Sequence, residues 1–194
     1  MPSTSTGQTR SIKIDVVLQG IRPIMFDRYA GDNKTQLDPI EKIYKDGKTK
    51  TKVLLPAENI FSFLTAVNTT SAPKRLLDSR EYRNVCAGFQ CFVDIEQEFI
   101  QFTRNGKGLT VDNAGLWIHH SVARLDKGIP NPKARPVLPL PWELSFTLTL
   151  LQNKEVNEDL LKKMFDDGGI CIGFGTYRGR YGKFVIKQWK TKNI

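Results

Sequence analysis

The stretch Trp142-Glu143-Leu144-Ser145-Phe146-Thr147-Leu148-Thr149-Leu150 alternates apolar and polar side chains at every step. Successive side chains of a strand point to opposite faces, so this alternation predicts a long β-strand with one face buried and one wet. Working outward, Asn157 is placed to cap a helix that carries Leu160, Leu161, Met164 and Phe165, with Gly168-Gly169 as its stop. Ile170, Ile172 and Phe174 then start another strand, a glycine-rich loop follows, and Lys183 to Trp189 reads as extended. Strand, helix, strand and a returning hairpin make half of a ferredoxin-like or RRM-type sheet.

The other half can come from the beginning of the chain. Ile12, Ile14, Val16 and Leu18 alternate with Lys13, Asp15 and Gln19, which again predicts a half-buried strand. Asp46-Gly47 suits a tight hairpin turn with positive φ between Ile43-Tyr44-Lys45 and Lys48-Thr49-Lys50. Pro56 opens a helix with Ile60, Phe61, Leu64 and Val67 on one face, and the run from Asn68 to Pro73 stops it. Phe89, Cys91, Val93 and Ile95 alternate with polar residues as a short strand would, and Asn105-Gly106 marks a turn. Prolines 130, 132, 136, 139 and 141 exclude a central strand from Leu125 to Pro141 and predict an irregular, stiff excursion. The fold class expected is α+β: an antiparallel sheet with helices on one face. Residues 1–10 read as a flexible lead. Residues 11–194 read as one domain with a hairpin excursion near 38–55 and the proline-rich one near 124–141.

With 194 residues, 40% apolar and 25% charged, the composition is that of an ordinary globular domain and excludes wholesale disorder. Lys+Arg exceed Asp+Glu by 29 to 20, a net charge of +9 that favours a polyanionic partner. Cys86, Cys91 and Cys171 form no C-x-x-C pair, and His119 and His120 are the only histidines, so no metal site is expected. The cysteine usage, a polar amino-terminal segment and the lack of a long apolar run predict a reduced, cytoplasmic protein without membrane association.

The strongest local signal is the run from Gly168 to Phe184. Gly173, Gly175, Gly179 and Gly182 permit close backbone approach to a ligand; Tyr177 and Tyr181 offer stacking faces; Arg178, Arg180 and Lys183 offer charge. Between Gly168 and Ile194 the chain carries Arg178, Arg180, Lys183, Lys187, Lys190 and Lys192 and no acidic residue. The spacing matches neither a Walker A loop nor a dinucleotide fingerprint. Arg124, Lys127, Lys133 and Arg135 on the proline-stiffened excursion are further phosphate contacts, because stiffness lowers the ordering cost of binding. Lys48 and Lys50 on the Asp46-Gly47 hairpin either press on a phosphate backbone or keep an exposed edge soluble.

This glycine-rich pattern resembles the C-terminal loop of the RAMP superfamily, the RRM-related proteins of CRISPR effector complexes. Two other stretches are similar to its Cas7-like members, the backbone subunits. They are Val53-Leu54-Leu55-Pro56-Ala57-Glu58-Asn59-Ile60, and the run from Val122-Ala123-Arg124 through Arg135-Pro136 into Trp142 to Leu151. Asn59-Ile60-Phe61-Ser62 departs from the Ser-Leu-Lys-Gly usual at the start of that family's first helix. The resemblance implies non-sequence-specific binding of a single-stranded guide RNA along a basic groove, in contact with copies of the same chain and other effector subunits. In the type III branch some members cut target RNA with an Asp in the loop after the first strand, where Asp27 and Asp32 lie here, Gly31-Asp32-Asn33 being the nearer match.

Three function classes follow. The first is a binding subunit acting through the glycine loop, with no cofactor. The second is a RAMP-type endoribonuclease using Asp32 or a histidine, the only reading that brings in magnesium. His119 and His120, adjacent on a strand, face opposite ways and cannot serve one substrate group together, while an Asp in a Gly-Asp-Asn stretch is also an ordinary turn former. The third is a phage or mobile-element assembly protein whose basic surface meets an acidic neighbour.

Overall fold

The computed structural model describes residues 10–32, 34–124, 128 and 130–194, with Ala123 and Arg124 described by backbone alone. The amino-terminal lead before Arg10, Asn33 and Lys127 lie outside the described residues. In chain order the elements are β1 (Arg10–Gly20), β2 (Ile24–Met25), β3 (Tyr44–Lys45), β4 (Val53–Pro56), α1 (Ala57–Thr65), α2 (Ala72–Leu76) and α3 (Tyr82–Phe92). They continue with β5 (Val93–Ile95), β6 (Phe99–Gln101), β7 (Thr103–Arg104), β8 (Lys107–Gly108), β9 (Trp117–Arg124), β10 (Pro130–Leu138), β11 (Glu143–Gln152), α4 (Glu158–Cys171) and β12 (Phe184–Asn193).

The two alternating runs pair with each other. β1 and β11 are antiparallel neighbours with Ile12 opposite Leu150, Ile14 opposite Leu148, Val16 opposite Phe146 and Leu18 opposite Leu144. All eight side chains are buried on one face. β12 flanks β1 on one side and β5 flanks β11 on the other, giving the order β12-β1-β11-β5 with every pairing antiparallel. The helices lie over the apolar face. Ile60, Phe63 and Leu64 of α1, Phe89 of α3, and Leu161, Met164 and Phe165 of α4 share one core with the strands. Burying each large side chain stabilises the fold by about 1.5–3 kcal/mol. The opposite face stays wet, its charges paired as Lys13–Glu96 at 2.5 Å and Lys192–Asp15 at 2.7 Å. The protein is therefore α+β, with helices on one side of an antiparallel sheet. No helix among the described residues is long and apolar enough to cross a membrane.

Four local expectations are corrected. Phe89 and Cys91 belong to α3, not to a strand. Phe89 is buried and Cys91 exposed, as a helix requires for positions two apart, and only from Val93 is the chain extended. Gly168-Gly169 do not stop α4, which runs on to Cys171, so Ile170 is helical too. These glycines are there for packing. A Cβ on Gly168 would lie 2.7 Å from the ring of Phe63, and one on Gly169 would lie 2.6 Å from the carbonyl oxygen of Phe184. Gly169→Ala gains helix propensity but meets main chain that cannot yield, so a net loss of about 1–3 kcal/mol is expected as a lowered thermal midpoint.

Asp46-Gly47 is not a two-residue turn. Tyr44 pairs with Leu54 and Lys45 with Val53, so residues 46–52 form a longer connection, and Lys50, at φ 55°, is its left-handed residue. Finally, the proline-rich excursion contains the regular strand β10, paired with β9 from Pro130 opposite Arg124 to Val137 opposite Trp117. Pro136 accepts the Phe26 N–H through its carbonyl on the edge away from β9. Pro130 and Pro132 have the same parity, so all three ring nitrogens face that edge, where the ladder with β9 needs no donor.

Candidate nucleic-acid interface

Residues 172–183 join α4 to β12 and carry the glycine-rich signal. The close approach these glycines permit is to the protein's own backbone. A Cβ on Gly182 (φ 69°) would sit 2.0 Å from the Phe174 carbonyl oxygen, and one on Gly173 (φ 78°) 2.4 Å from the Gly182 carbonyl oxygen. Gly175 is pressed in the same way on the Met25 carbonyl, while Gly179 is exposed. Hydrogen bonds from Thr176 N–H to Met25 O (3.0 Å) and from Gly182 N–H to Pro23 O (2.7 Å) stitch the loop to the segment between β1 and β2.

That folding separates the two arginines. Arg178 turns inward: its guanidinium donates to Thr70 O at 2.9 Å, Gly175 O at 3.4 Å and Ser62 Oγ at 3.5 Å. Burial pulls its pKa below the ordinary arginine value. It fastens the loop to α1 and the turn before α2. Arg180 turns outward and borders a recess with Arg22, Trp117 and Lys183. None of these three cations pairs with a carboxylate among the described residues.

Beside the cations runs a row of rings. Tyr177 lies 5.9 Å from Tyr181, Tyr181 lies 5.9 Å from His119, and His119 lies 5.7 Å from Trp117. Tyr181 is the buried floor, packed with Met25 and Val137, whereas Trp117 and Tyr177 at the two ends are 42% and 52% exposed. The row exists because β9 sends Trp117 and His119 to one face, two residues apart, against the glycine loop. Exposed rings beside cations combine the two chemistries that a single-stranded nucleic acid requires, a stacking face and a phosphate counter-charge. Arg22, Trp117 and His119 were not among the sequence-level candidates for this surface. The only local signal was the spacing of Trp117 and His119, and it acquires meaning only once β9 is known to meet residues 177–183.

The other candidates lie elsewhere. Arg135 donates to Asp27 at 2.6 Å, and Lys42 approaches the same carboxylate at 3.5 Å, so this charge is spent within the molecule. Lys133 borders a shallow recess with the exposed His120 and with Val122 on the β9–β10 ribbon. Arg124 is described by backbone alone, and Lys127 lies outside the described residues. His119 and His120 do face opposite ways. Asp32 closes a turn: its carboxylate accepts from Lys34 N–H at 2.7 Å, Thr35 N–H at 2.6 Å and Thr35 Oγ1 at 2.7 Å. The Thr35 hydroxyl, followed by the two amides, holds its pKa below the usual carboxylate value, which suits a turn better than a proton shuttle. Among the described residues no three His, Cys, Asp or Glu side chains cluster to hold a metal ion.

Lys48 and Lys50 ride on the connection organised by Asp46, whose carboxylate accepts from Thr49 N–H and Oγ1 on one oxygen and from Thr51 and Lys52 N–H on the other. These bonds, the Thr49 hydroxyl foremost, push its pKa well below normal. A depressed carboxyl stabilises the folded form fully above its unfolded value of about 3.9, and that contribution is lost as pH falls through the lower folded value. Amide exchange at Thr49, Thr51 and Lys52 is therefore expected to gain protection as pH rises to about 5, after correction for intrinsic rates.

No family model and no curated protein matches the sequence. Among solved structures the chain superposes on a chain of the "Cryo-EM structure of the Type III-B Cmr-beta bound to cognate target RNA", with a TM-score of 0.53 and 12% sequence identity. The match covers 95% of this chain and 61% of that one, so the protein spans less than two thirds of its neighbour's length. At that identity the two chains share a fold.

Proposed function

We propose that the protein is a Cas7-like RAMP subunit of a ribonucleoprotein effector, holding single-stranded RNA without reading its sequence. The observation that carries this reading is the row Trp117–His119–Tyr181–Tyr177, flanked by Arg22, Arg180 and Lys183 with no carboxylate among them. Two facts support it: the fold is shared with a chain from an RNA-bound structure, and the sheet order β12-β1-β11-β5 is the one a ferredoxin-like unit needs. Repeated copies of the chain, each contributing one such row, would extend the surface along a strand.

Fluorescence anisotropy with a labelled single strand across a salt series tests the reading. Each neutralised phosphate contributes about −0.7 to the slope of log K against log salt, so the three cations predict a slope of roughly −2. Arg180→Ala should reduce it by about 0.7 for every sequence tested. Affinity independent of salt, or protein multimers that ignore single strands, would favour the assembly-protein class instead.

A further inference from the structure

On another part of the molecule, β3, the first turn of α1 and the start of β6 enclose a cleft of about 690 Å³. It shares no lining residue with the aromatic row. Such a volume lies within the range of small-molecule sites. Its walls combine three chemistries. Phe99, at the start of β6, is 45% exposed while its neighbour Ile100 is buried, so strand alternation turns the Phe99 ring outward, with half-buried Tyr44 also on the wall. Arg28, Lys45 and Lys50 supply positive charge, and none of them is in an ion pair among the described residues.

The third chemistry is a carboxylate. Asp46 has both oxygens engaged by its own loop, and Glu41 caps the turn at Asp38 N–H at 3.1 Å. Glu58, exposed in the first turn of α1, is committed to neither task. The Asp46 bonds do more than close a loop. They fix the residues on both sides of Lys50, whose own N–H donates to the Asp46 carbonyl at 3.1 Å and which lies at the cleft wall with φ 55°.

We propose that this cleft binds a ribonucleoside phosphate. The base lies against Phe99 and Tyr44, the phosphate meets Lys45, Lys50 and Arg28, and the Glu58 carboxylate accepts from ribose hydroxyls. A planar ring alone would not need three cations, and a simple anion would not need exposed aromatic faces. A nucleotide uses both. The ligand comes from one of two sources, a free nucleotide or a terminal nucleotide of an RNA strand. The proposal does not depend on the RNA reading of the aromatic row.

The test titrates the full chain calorimetrically with AMP, with ATP, and with a short RNA carrying or lacking a 5′-phosphate. Saturable binding of AMP or ATP is expected, weakened about tenfold or more by Phe99→Ala and by the Lys45→Ala, Lys50→Ala pair, and unchanged by Lys162→Ala, an exposed lysine of α4 outside the cleft. If neither nucleotide binds but a 5′-phosphate strengthens binding of the short RNA, and that gain is lost in the cleft variants, the site is upheld with an RNA end as the source. If no probe responds to the cleft variants, or if Arg180→Ala removes nucleotide binding as fully as they do, the site is overturned. Nucleotide binding that survives while the labelled single strand fails to bind would uphold the cleft and sink the aromatic row, so the two failures are separable. Phe99 and both lysines are surface side chains, and a thermal melt confirms that the variants stay folded.

Discussion

Trp117→Ala combined with Tyr177→Asn is expected to weaken single-stranded RNA binding roughly 30-fold or more, with the salt slope unchanged. Each base stacked on a ring contributes about 1–3 kcal/mol, and about 1.4 kcal/mol corresponds to a factor of ten. Both rings are about half exposed, so a thermal melt accompanies the binding measurement, and asparagine at 177 tolerates the left-handed backbone (φ 56°) that the tyrosine adopts. The signature differs from that of Arg180→Ala, which changes the slope. Anisotropy at two salt concentrations separates the two effects. A double variant that binds as tightly as the parent would remove the aromatic row from the interface.

The second large effect concerns stability. Trp142 is fully buried, stands edge-on to Phe102 at 5.6 Å, and donates its indole N–H to the Arg22 carbonyl at 3.0 Å. Gly20 leaves the space its ring fills, since a Cβ there would lie 2.2 Å from the indole. Trp142→Ala is expected to cost about 3–5 kcal/mol, because the cavity has no side chain at Gly20 to collapse into it. For a chain of this size that corresponds to a midpoint lowered by about 6–20 °C in a thermal melt. The same substitution frees the backbone that presents Arg22, so RNA affinity should fall even below the melting range. Trp142→Phe, which restores most of the volume but not the donor, should recover most of the melting temperature. A wild-type midpoint in Trp142→Ala would contradict this account of the core.

Much of the sheet was legible because alternation is a local property. Ile12 to Leu18 and Trp142 to Leu150 each announce a strand with one buried face, and their pairing follows once both faces need the same cover. Elements whose cause is tertiary were harder to read. Gly168-Gly169 look like a helix stop, yet the helix runs through them, and they are glycine because Phe63, Ala72 and Phe184 crowd that side and admit no side chain. Asp46-Gly47 looks like a turn, but the aspartate carboxylate organises a longer loop with four donors. The candidate site divides in the same way. Arg180, Lys183, Tyr177 and Tyr181 were visible as a cluster in sequence. Sequence could not show that Arg178 spends its guanidinium on Thr70, nor that Arg22 and Trp117, remote along the chain, complete the surface.

The prolines of β10 have a consequence for aggregation. With rings at 130, 132 and 136 aligned on the margin away from β9, only Ala134 and Leu138 of β10 offer an amide hydrogen there; β2 pairs with β10 at Val137 and Leu138, and the Ala134 carbonyl accepts from Lys42 Nζ at 2.9 Å. An incoming strand would find almost no donors to zip against, so the ribbon resists the edge-to-edge fusion that turns exposed sheets into aggregates.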